Sequence, residues 1–282
     1  MSPSAPRTAL VLGGGGVTGI SWELGLLKGL VDGGVDLSGA DVVVGTSAGS
    51  VVGAQVSGKL GLDDLYDGQL GVADAEVGGK FGLSVMLRLA VLGLLPGDGP
   101  ARRRRIGRAA LRTHPESSDE RVRMVEARLG VVDWPETDLR VTAVDADTGE
   151  LRVFDGSDGV DLAHAVAASC AVPLVWPPVA IDGHRYVDGG IRSTANADLV
   201  SGCDRVVVIA PLPQSFSKHH AIPAQLARLG EHVRSAAVSP DKAALKAIGK
   251  DVLDTSRCAE SAGAGRDQAA SVLDEVRAAW HG

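Results

Sequence analysis

The chain has 282 residues, of which 45% are hydrophobic and 22% are charged, and this balance excludes disordered and fibrous proteins. The 28 basic and 35 acidic residues give a net charge of −7, which argues against a dedicated nucleic-acid-binding protein. Three widely spaced cysteines indicate neither a disulfide framework nor a metal site.

Residues 1–8 lack the basic start and the apolar run that a signal peptide needs. The uncharged stretches 42–58 and 165–181 are interrupted by glycines or prolines, so neither predicts a helix that spans a membrane. We therefore expect a soluble protein of the reducing cytoplasm, and its length fits a single domain over 1–282.

The first elements alternate between strands and helices. Apolar runs and glycine turns predict a strand over 8–12, a helix over 20–30, a strand over 41–44 and a helix over 48–56. This order is typical of a parallel sheet with helical crossovers, so the predicted fold class is α/β.

The middle part, 60–130, contains no convincing strand and predicts a helical insertion. Its apolar stretch 83–95 fits a packed helix or a lid, and four consecutive arginines follow at 102–105. Such a run usually lies on a solvated helix face, and its alternative use is contact with the anionic headgroups of a membrane surface.

Strands resume after the insertion, at 139–144, 151–154 and 206–209. The remaining segment, 221–282, is predicted to be a mainly helical tail, with Ser239 and Pro240 as the cap and first position of one helix.

The strongest chemical signal is Gly-Thr-Ser-Ala-Gly at 45–49, placed directly between a predicted strand and a predicted helix. A nucleophilic serine needs such a sharp turn, which exposes its hydroxyl at the positive end of a helix. Gly45 and Gly49 allow neighbouring backbone to approach without a clash. Ser47 is therefore the predicted nucleophile, and the alternative is a simple turn of small residues.

A glycine-rich loop lies at 13–19, where Gly14, Gly16 and Gly19 satisfy the dinucleotide-binding pattern. That interpretation requires an acidic residue at the end of the next strand, and the predicted strand leads into Gly45 instead. The other use of such a loop is an oxyanion hole, in which unhindered backbone N–H groups face a developing negative charge.

A third signal is Asp188-Gly189-Gly190, preceded by Ala-Ser-Cys-Ala-Val-Pro at 168–173. An aspartate before two glycines is usually only a turn. Ser47 needs a base, however, and a carboxylate held against its hydroxyl can serve as one.

These motifs occur in the order found in patatin-like phospholipases, which the chain resembles from about residue 8 to 211 outside the insertion. The resemblance implies a patatin-like three-layer α/β fold with a mainly parallel central sheet, and hydrolysis of lipid acyl esters by a Ser–Asp dyad without a cofactor. By similarity, Ser47 matches the nucleophile and Asp188 its base. The backbone N–H groups of Gly14, Gly15 and Gly16 match the oxyanion hole.

One position departs from the family pattern, which often has arginine or lysine just before the last glycine of the loop. Thr18 stands there, although the backbone donors are unaffected. The seven histidines offer a possible third member of a triad, but none lies in a catalytic context. A side chain at Gly15 or Gly16 is expected to crowd the oxyanion and lower turnover without unfolding the protein.

The sequence therefore predicts a lipid acyl hydrolase of the phospholipase A or lysophospholipase type, with a lipid or other acyl ester as substrate and peripheral contact with a membrane. Two alternatives remain. The loop could bind the phosphate of a nucleotide in a regulatory protein, or the chain could be a catalytically inactive homologue.

Overall fold

The computed structural model describes residues 5–71, 85, 88–89, 91–92, 99–215 and 217–282. Its strands are β1 (Thr8–Leu12), β2 (Val42–Thr46), β3 (Asp138–Asp145), β4 (Leu151–Phe154), β5 (Val179–Ile181), β6 (His184–Asp188), β7 (Arg205–Ile209) and β8 (Arg234–Val238). They form an eight-stranded sheet in the order β5-β6-β3-β2-β1-β7-β8, with β4 paired to β3.

The centre of the sheet is parallel. β1 lies between β2 and β7, β2 continues to β3, and β7 continues to β8, all in parallel register. β4 and β6 run antiparallel to β3, and β5 runs antiparallel to β6. The mainly parallel sheet that the sequence predicts is therefore confirmed.

The longer helices are α1 (Gly16–Asp32), α2 (Ala48–Ser57), α3 (Leu62–Leu70), α4 (Gly99–Thr113), α5 (Asp119–Leu129), α6 (Leu162–Ser169), α7 (Ile222–Leu229), α8 (Lys242–Ile248) and α9 (Cys258–His281). No helix in the described part of the chain is long and apolar enough to cross a membrane.

Both faces of the sheet are buried, and successive residues of β1 point to opposite faces. Leu10 and Leu12 belong to the larger core, which also contains residues of α1, α2 and α9. Ala9 and Val11 belong to a smaller core with Ile222 of α7. The sheet is thus the middle of three layers, as predicted.

The C-terminal helix α9 packs tightly on α1 through glycines. A Cβ atom at Gly25 of α1 would lie 2.0 Å from the Ala262 carbonyl oxygen, and one at Gly265 of α9 would lie 2.3 Å from the Trp22 carbonyl oxygen. The buried Trp22 indole also donates to Gln268 Oε1 at 3.1 Å. The end of the chain is therefore part of the core.

The tail contains one strand that was not predicted, and one predicted helix cap is wrong. Residues 234–238 form β8, because the free edge of β7 supplies backbone partners to a short, small-residue segment without a hydrophobic pattern. The cap of α8 is Asp241, whose carboxylate accepts from the Ala244 N–H at 2.8 Å, and not Ser239. The rest of the described tail is mainly helical.

The insertion contributes α3, α4 and α5 and contains no strand among its described residues, whereas most of the apolar stretch 83–95 lies outside them. The arginine run does not form one solvated face. Arg103 is buried and its Nε donates to the Gly149 carbonyl oxygen at 2.6 Å, while Arg105 donates to the Leu92 carbonyl oxygen at 3.0 Å. Of the four arginines only Arg104 is exposed, and the other three are buried or half-buried.

Candidate active site

Three segments converge near the carboxyl ends of β1 and β2, because β6 pairs only with the last residues of β3 and ends opposite Ala143. The glycine loop follows β1, Ser47 follows β2, and Asp188 ends β6, which is antiparallel to β3. In open α/β sheets this edge is where ligands bind. The topology therefore brings together residues that lie up to 175 positions apart.

Ser47 occupies a strained turn between β2 and α2. Its φ of 53° and ψ of −118° are rare for a residue with a side chain. The Ser47 N–H donates to Ser169 Oγ at 2.8 Å, and the Ser47 carbonyl oxygen accepts from Ser50 Oγ at 2.6 Å. These bonds hold the strained backbone and present the serine hydroxyl above the sheet.

The two glycines of the turn are required by close backbone approach. A Cβ atom at Gly45 would lie 2.5 Å from Ser50 Cα, and one at Gly49 would lie 2.1 Å from the Leu12 carbonyl oxygen. The Gly49 N–H also donates to the Gly13 carbonyl oxygen at 2.9 Å, which ties the turn to the glycine loop.

Asp188 is buried beside Ser47, with only 5% of its surface exposed. Its Oδ1 accepts from the Gly190 N–H at 2.7 Å. Burial raises the pKa of Asp188 from 3.8 to about 6, while hydrogen bonding to the Ser47 hydroxyl and to Gly190 lowers this pKa in part. Gly189 has no room for a side chain, since a Cβ atom would lie 2.4 Å from Thr142 Oγ1.

The backbone N–H groups of the glycine loop differ in whether they already have a hydrogen-bond acceptor. The Gly14 N–H donates to the Thr194 carbonyl oxygen at 2.8 Å and is therefore occupied, contrary to the expectation that it faces an oxyanion. In the described structure the N–H groups of Gly15 and Gly16 have no such partner. Both glycines line the cavity that contains Ser47 and Asp188.

The loop also tolerates side chains less well than the sequence suggests. Gly16 has a φ of +63°, and a Cβ atom there would lie 2.4 Å from the Val252 carbonyl oxygen. A Cβ atom at Gly15 would lie 2.5 Å from Pro211 Cβ. A substitution would thus strain the packing on Pro211 and Val252, and we expect it to lower stability as well as turnover.

The cavity that Ser47 and Asp188 share has a volume of about 460 Å³. Apart from the loop glycines, its walls are mainly apolar and include Leu89, Val172, Ile191, Leu212, Ile248 and Leu253. Such a space suits a hydrocarbon chain better than a nucleotide, because few polar groups would pair with a base or ribose.

A buried polar network beneath the site is a feature that the sequence analysis missed. Thr46 Oγ1 and Thr142 Oγ1 lie 2.8 Å apart, and Asn196 Nδ2 donates to Thr46 Oγ1 at 3.0 Å. The network joins the end of β2 to β3 directly below Ser47. No local pattern marks it, since its three members come from separate segments.

The histidines lie elsewhere. His184 Nδ1 pairs with Asp145 Oδ2 at 2.8 Å, at the opposite end of β6 from Asp188. Four strand residues span roughly 13 Å, which is too far for contact with the site. Desolvation lowers the pKa of His220 to about 4, and none of the seven histidines lines a cavity with Ser47 in the described structure.

Two neighbouring side chains have structural roles. Thr18 is buried, and its hydroxyl donates to the Val252 carbonyl oxygen at 3.4 Å, so it does not face the cavity. Burial raises the pKa of the Cys170 thiol to about 11, which keeps this cysteine protonated and unreactive.

Comparison with solved structures gives distant likenesses. VipD from Legionella pneumophila is 14% identical, with a TM-score of 0.47, over 96% of this chain and 67% of that chain. ExoU in its complex with SpcU from Pseudomonas aeruginosa is 18% identical, with a TM-score of 0.42, over 98% of this chain and 52% of that chain. The chain thus spans about half the length of ExoU.

A family model gives the closer assignment. The model described as Patatin-like phospholipase matches residues 10–201, which include the glycine loop, the Ser47 turn and Asp188. Because this match covers more than half of the chain, the protein belongs to the patatin-like phospholipase family of lipid hydrolases.

Proposed function

We propose that the protein is a serine acyl-ester hydrolase of lipids, of the phospholipase A or lysophospholipase type. Ser47 is the nucleophile, Asp188 is its base, and the Gly15 and Gly16 N–H groups form the oxyanion hole. The observation that carries the proposal is a strained, buried serine beside a carboxyl of raised pKa at the wall of an apolar cavity.

In the first half-reaction Asp188 accepts the proton of the Ser47 hydroxyl while Ser47 Oγ attacks the ester carbonyl carbon. The carbonyl oxygen becomes an oxyanion that accepts hydrogen bonds from the two loop amides. Collapse of this intermediate breaks the ester C–O bond. The departing alcohol takes the proton from Asp188 and leaves an acyl group on Ser47.

In the second half-reaction a water molecule gives its proton to Asp188 and attacks the acyl-enzyme. Collapse of the second oxyanion releases the fatty acid and returns the proton to Ser47 Oγ. A pKa of about 6 suits both steps, since Asp188 is ionised at neutral pH yet more basic than an exposed aspartate.

The rival use of the glycine loop, phosphate binding in a nucleotide site, has less support. That use needs an acidic side chain at the end of β2, and β2 ends at Thr46, whose hydroxyl bonds to Thr142 and Asn196. The Gly14 amide is also engaged by Thr194.

The test is hydrolysis of p-nitrophenyl esters of graded chain length and of phospholipids by the wild type and Ser47→Ala. We expect Ser47→Ala to lower kcat by on the order of 10⁴-fold or more, with the variant still folded. Ser201→Ala, at an exposed serine, is the matched control and is expected to keep full activity. Activity that survives Ser47→Ala would reject the proposal, and a wild type inactive on every ester would indicate an inactive homologue.

A further inference from the structure

Ser47 borders a second cavity of about 70 Å³, which differs in character from the apolar one. Arg121, Arg128 and Trp176 line it, together with Val125 and Met124. Ser47 belongs to the walls of both cavities. An ester whose carbonyl lies at Ser47 would therefore extend one substituent toward each cavity.

Arg121 is held firmly in this second cavity. Its guanidinium carbon lies 4.1 Å from the centroid of the Trp176 ring, which is a favourable cation–π distance. Arg128 follows seven residues later on α5, and this spacing places both side chains on the same face of the helix. One wall of the cavity therefore carries two positive charges, the half-buried Arg121 and the more exposed Arg128.

Arg121 lacks the acceptor that comparable arginines have. Arg140 pairs with Asp138 at 2.7 Å, and Arg192 pairs with Asp198 at 2.6 Å. In the described part of the chain, Arg121 forms no hydrogen bond or ion pair, and its buried Nε has no partner. An unpaired cation that is partly withdrawn from water is costly, and an anionic ligand would offset that cost.

The position of this charge relates it to the active site. Arg121 is the cation whose charge lowers the pKa of Asp188, and burial lowers the pKa of Arg121 itself. An arginine remains protonated nonetheless, and its planar fork of donors matches a phosphate group.

We propose that the cavity lined by Arg121 and Arg128 binds the phosphate of an anionic amphiphile whose hydrocarbon chain lies in the apolar cavity. The inference rests on the proposed function, because it assigns the two ends of the substrate of Ser47. We therefore expect an acyl ester with a phosphate group to be a better substrate than a neutral ester of equal chain length.

The test measures binding by calorimetry to the full chain carrying Ser47→Ala, so that no turnover interferes. The probes are decyl phosphate, neutral decyl maltoside and inorganic phosphate, all below any micelle concentration. Arg121→Met keeps the length and apolar stem of the side chain, and Arg123→Met, at an exposed arginine of the same helix, is the matched control.

We expect Arg121→Met to weaken decyl phosphate binding by roughly tenfold or more, the size of a lost charge-assisted hydrogen bond. Binding of decyl maltoside should stay within about twofold, and Arg123→Met should change neither Kd. Equal weakening of both amphiphiles, no weakening, or no binding of decyl phosphate would overturn the proposal. Inorganic phosphate that binds as tightly as decyl phosphate would also overturn it, in favour of a free-anion site.

This binding test separates the inference from the proposed function. Arg121-dependent binding of decyl phosphate to a protein that hydrolyses no ester would retain the anionic site and reject the hydrolase. Hydrolysis that depends on Ser47, without Arg121-dependent binding, would retain the hydrolase and reject the anionic site.

Discussion

The glycine loop and the Ser47 turn follow adjacent parallel strands and both contain a residue with positive φ, yet they are built differently. At Gly16 the left-handed position is taken by a glycine whose missing side chain leaves room for Val252. At Ser47 the same backbone region is taken by a residue with a side chain, which costs of order 1–3 kcal/mol.

This difference indicates what each segment supplies. The loop offers backbone N–H groups and has no space for side chains at Gly15 and Gly16, whereas the turn holds a strained backbone that presents one hydroxyl. Changes in the loop should therefore damage folding and function together. Changes to the side chains at the turn and at Asp188 should damage function alone.

The largest expected effect is on the side-chain part of the site. Asp188→Asn removes the proposed base, and we expect kcat on a short-chain ester to fall by on the order of 10⁴-fold while the protein stays folded. Asp182→Asn, at the exposed turn that precedes β6, is the matched control and should keep full activity. An active Asp188→Asn variant would remove the dyad from this account.

A substitution at a glycine of the Ser47 turn should instead lower the stability of the folded protein. Gly49→Ala places a Cβ atom 2.1 Å from the Leu12 carbonyl oxygen, so we expect a loss of about 3 kcal/mol or more in the free energy of unfolding. Gly39→Ala, where no atom lies within 4 Å of the added Cβ, is the control. Urea unfolding measures both, and a Gly49→Ala variant of wild-type stability would contradict the tight packing.

The pH dependence of stability sharpens the contrast. The pKa of Asp188 in the folded state lies above its value in the unfolded state. Protonation of Asp188 therefore stabilises the folded protein completely below pH 3.8, and this stabilisation is lost as pH rises through about 6. At pH 8 the buried charge costs up to roughly 3 kcal/mol, and Asp188→Asn should recover part of it.

This gain should shrink toward zero below pH 4, where the wild-type carboxyl is protonated. Unfolding of the wild type and Asp188→Asn at pH 4, 6 and 8 gives the comparison. A variant that is destabilised at pH 8, or equally stabilised at every pH, would be inconsistent with a buried carboxylate.

The smallest effect is expected at the support of the turn. Ser169→Ala leaves the Ser47 N–H without its acceptor, which costs about 1–3 kcal/mol at a buried donor. We expect a lower melting temperature and a roughly tenfold loss of kcat, because the strained backbone relaxes away from Asp188. Retained activity and stability would mean that Ser169 does not hold the turn.

The sequence predicts the parts of this protein that local patterns specify. The runs at 8–12 and 151–154 match β1 and β4, and the strand–turn–helix context places Ser47 correctly. β8 escaped prediction because Arg-Ser-Ala-Ala-Val becomes a strand only at the edge of β7. The hydrogen bond of the Gly14 N–H could not be predicted either, because its acceptor, the Thr194 carbonyl oxygen, lies far along the chain.

Arg121 illustrates the same limit for the site. On α5 it is one of several arginines in an amphipathic helix, and the spacing that places it on one face with Arg128 does not show what that face contacts. Only the folded chain places it on Trp176 beside Ser47. The proposed specificity depends on tertiary contacts, whereas the proposed nucleophile and base lie in motifs that the sequence displays.

The activation of Ser47 by Asp188 is tested most directly by the rate of covalent labelling with a fluorophosphonate, with the modified peptide identified by mass spectrometry. The account predicts that the label maps to Ser47, that the rate rises with pH through about 6, and that Asp188→Asn abolishes labelling while each single His→Gln variant retains it. Labelling at another residue, or an Asp188→Asn variant that labels at the wild-type rate, would contradict it.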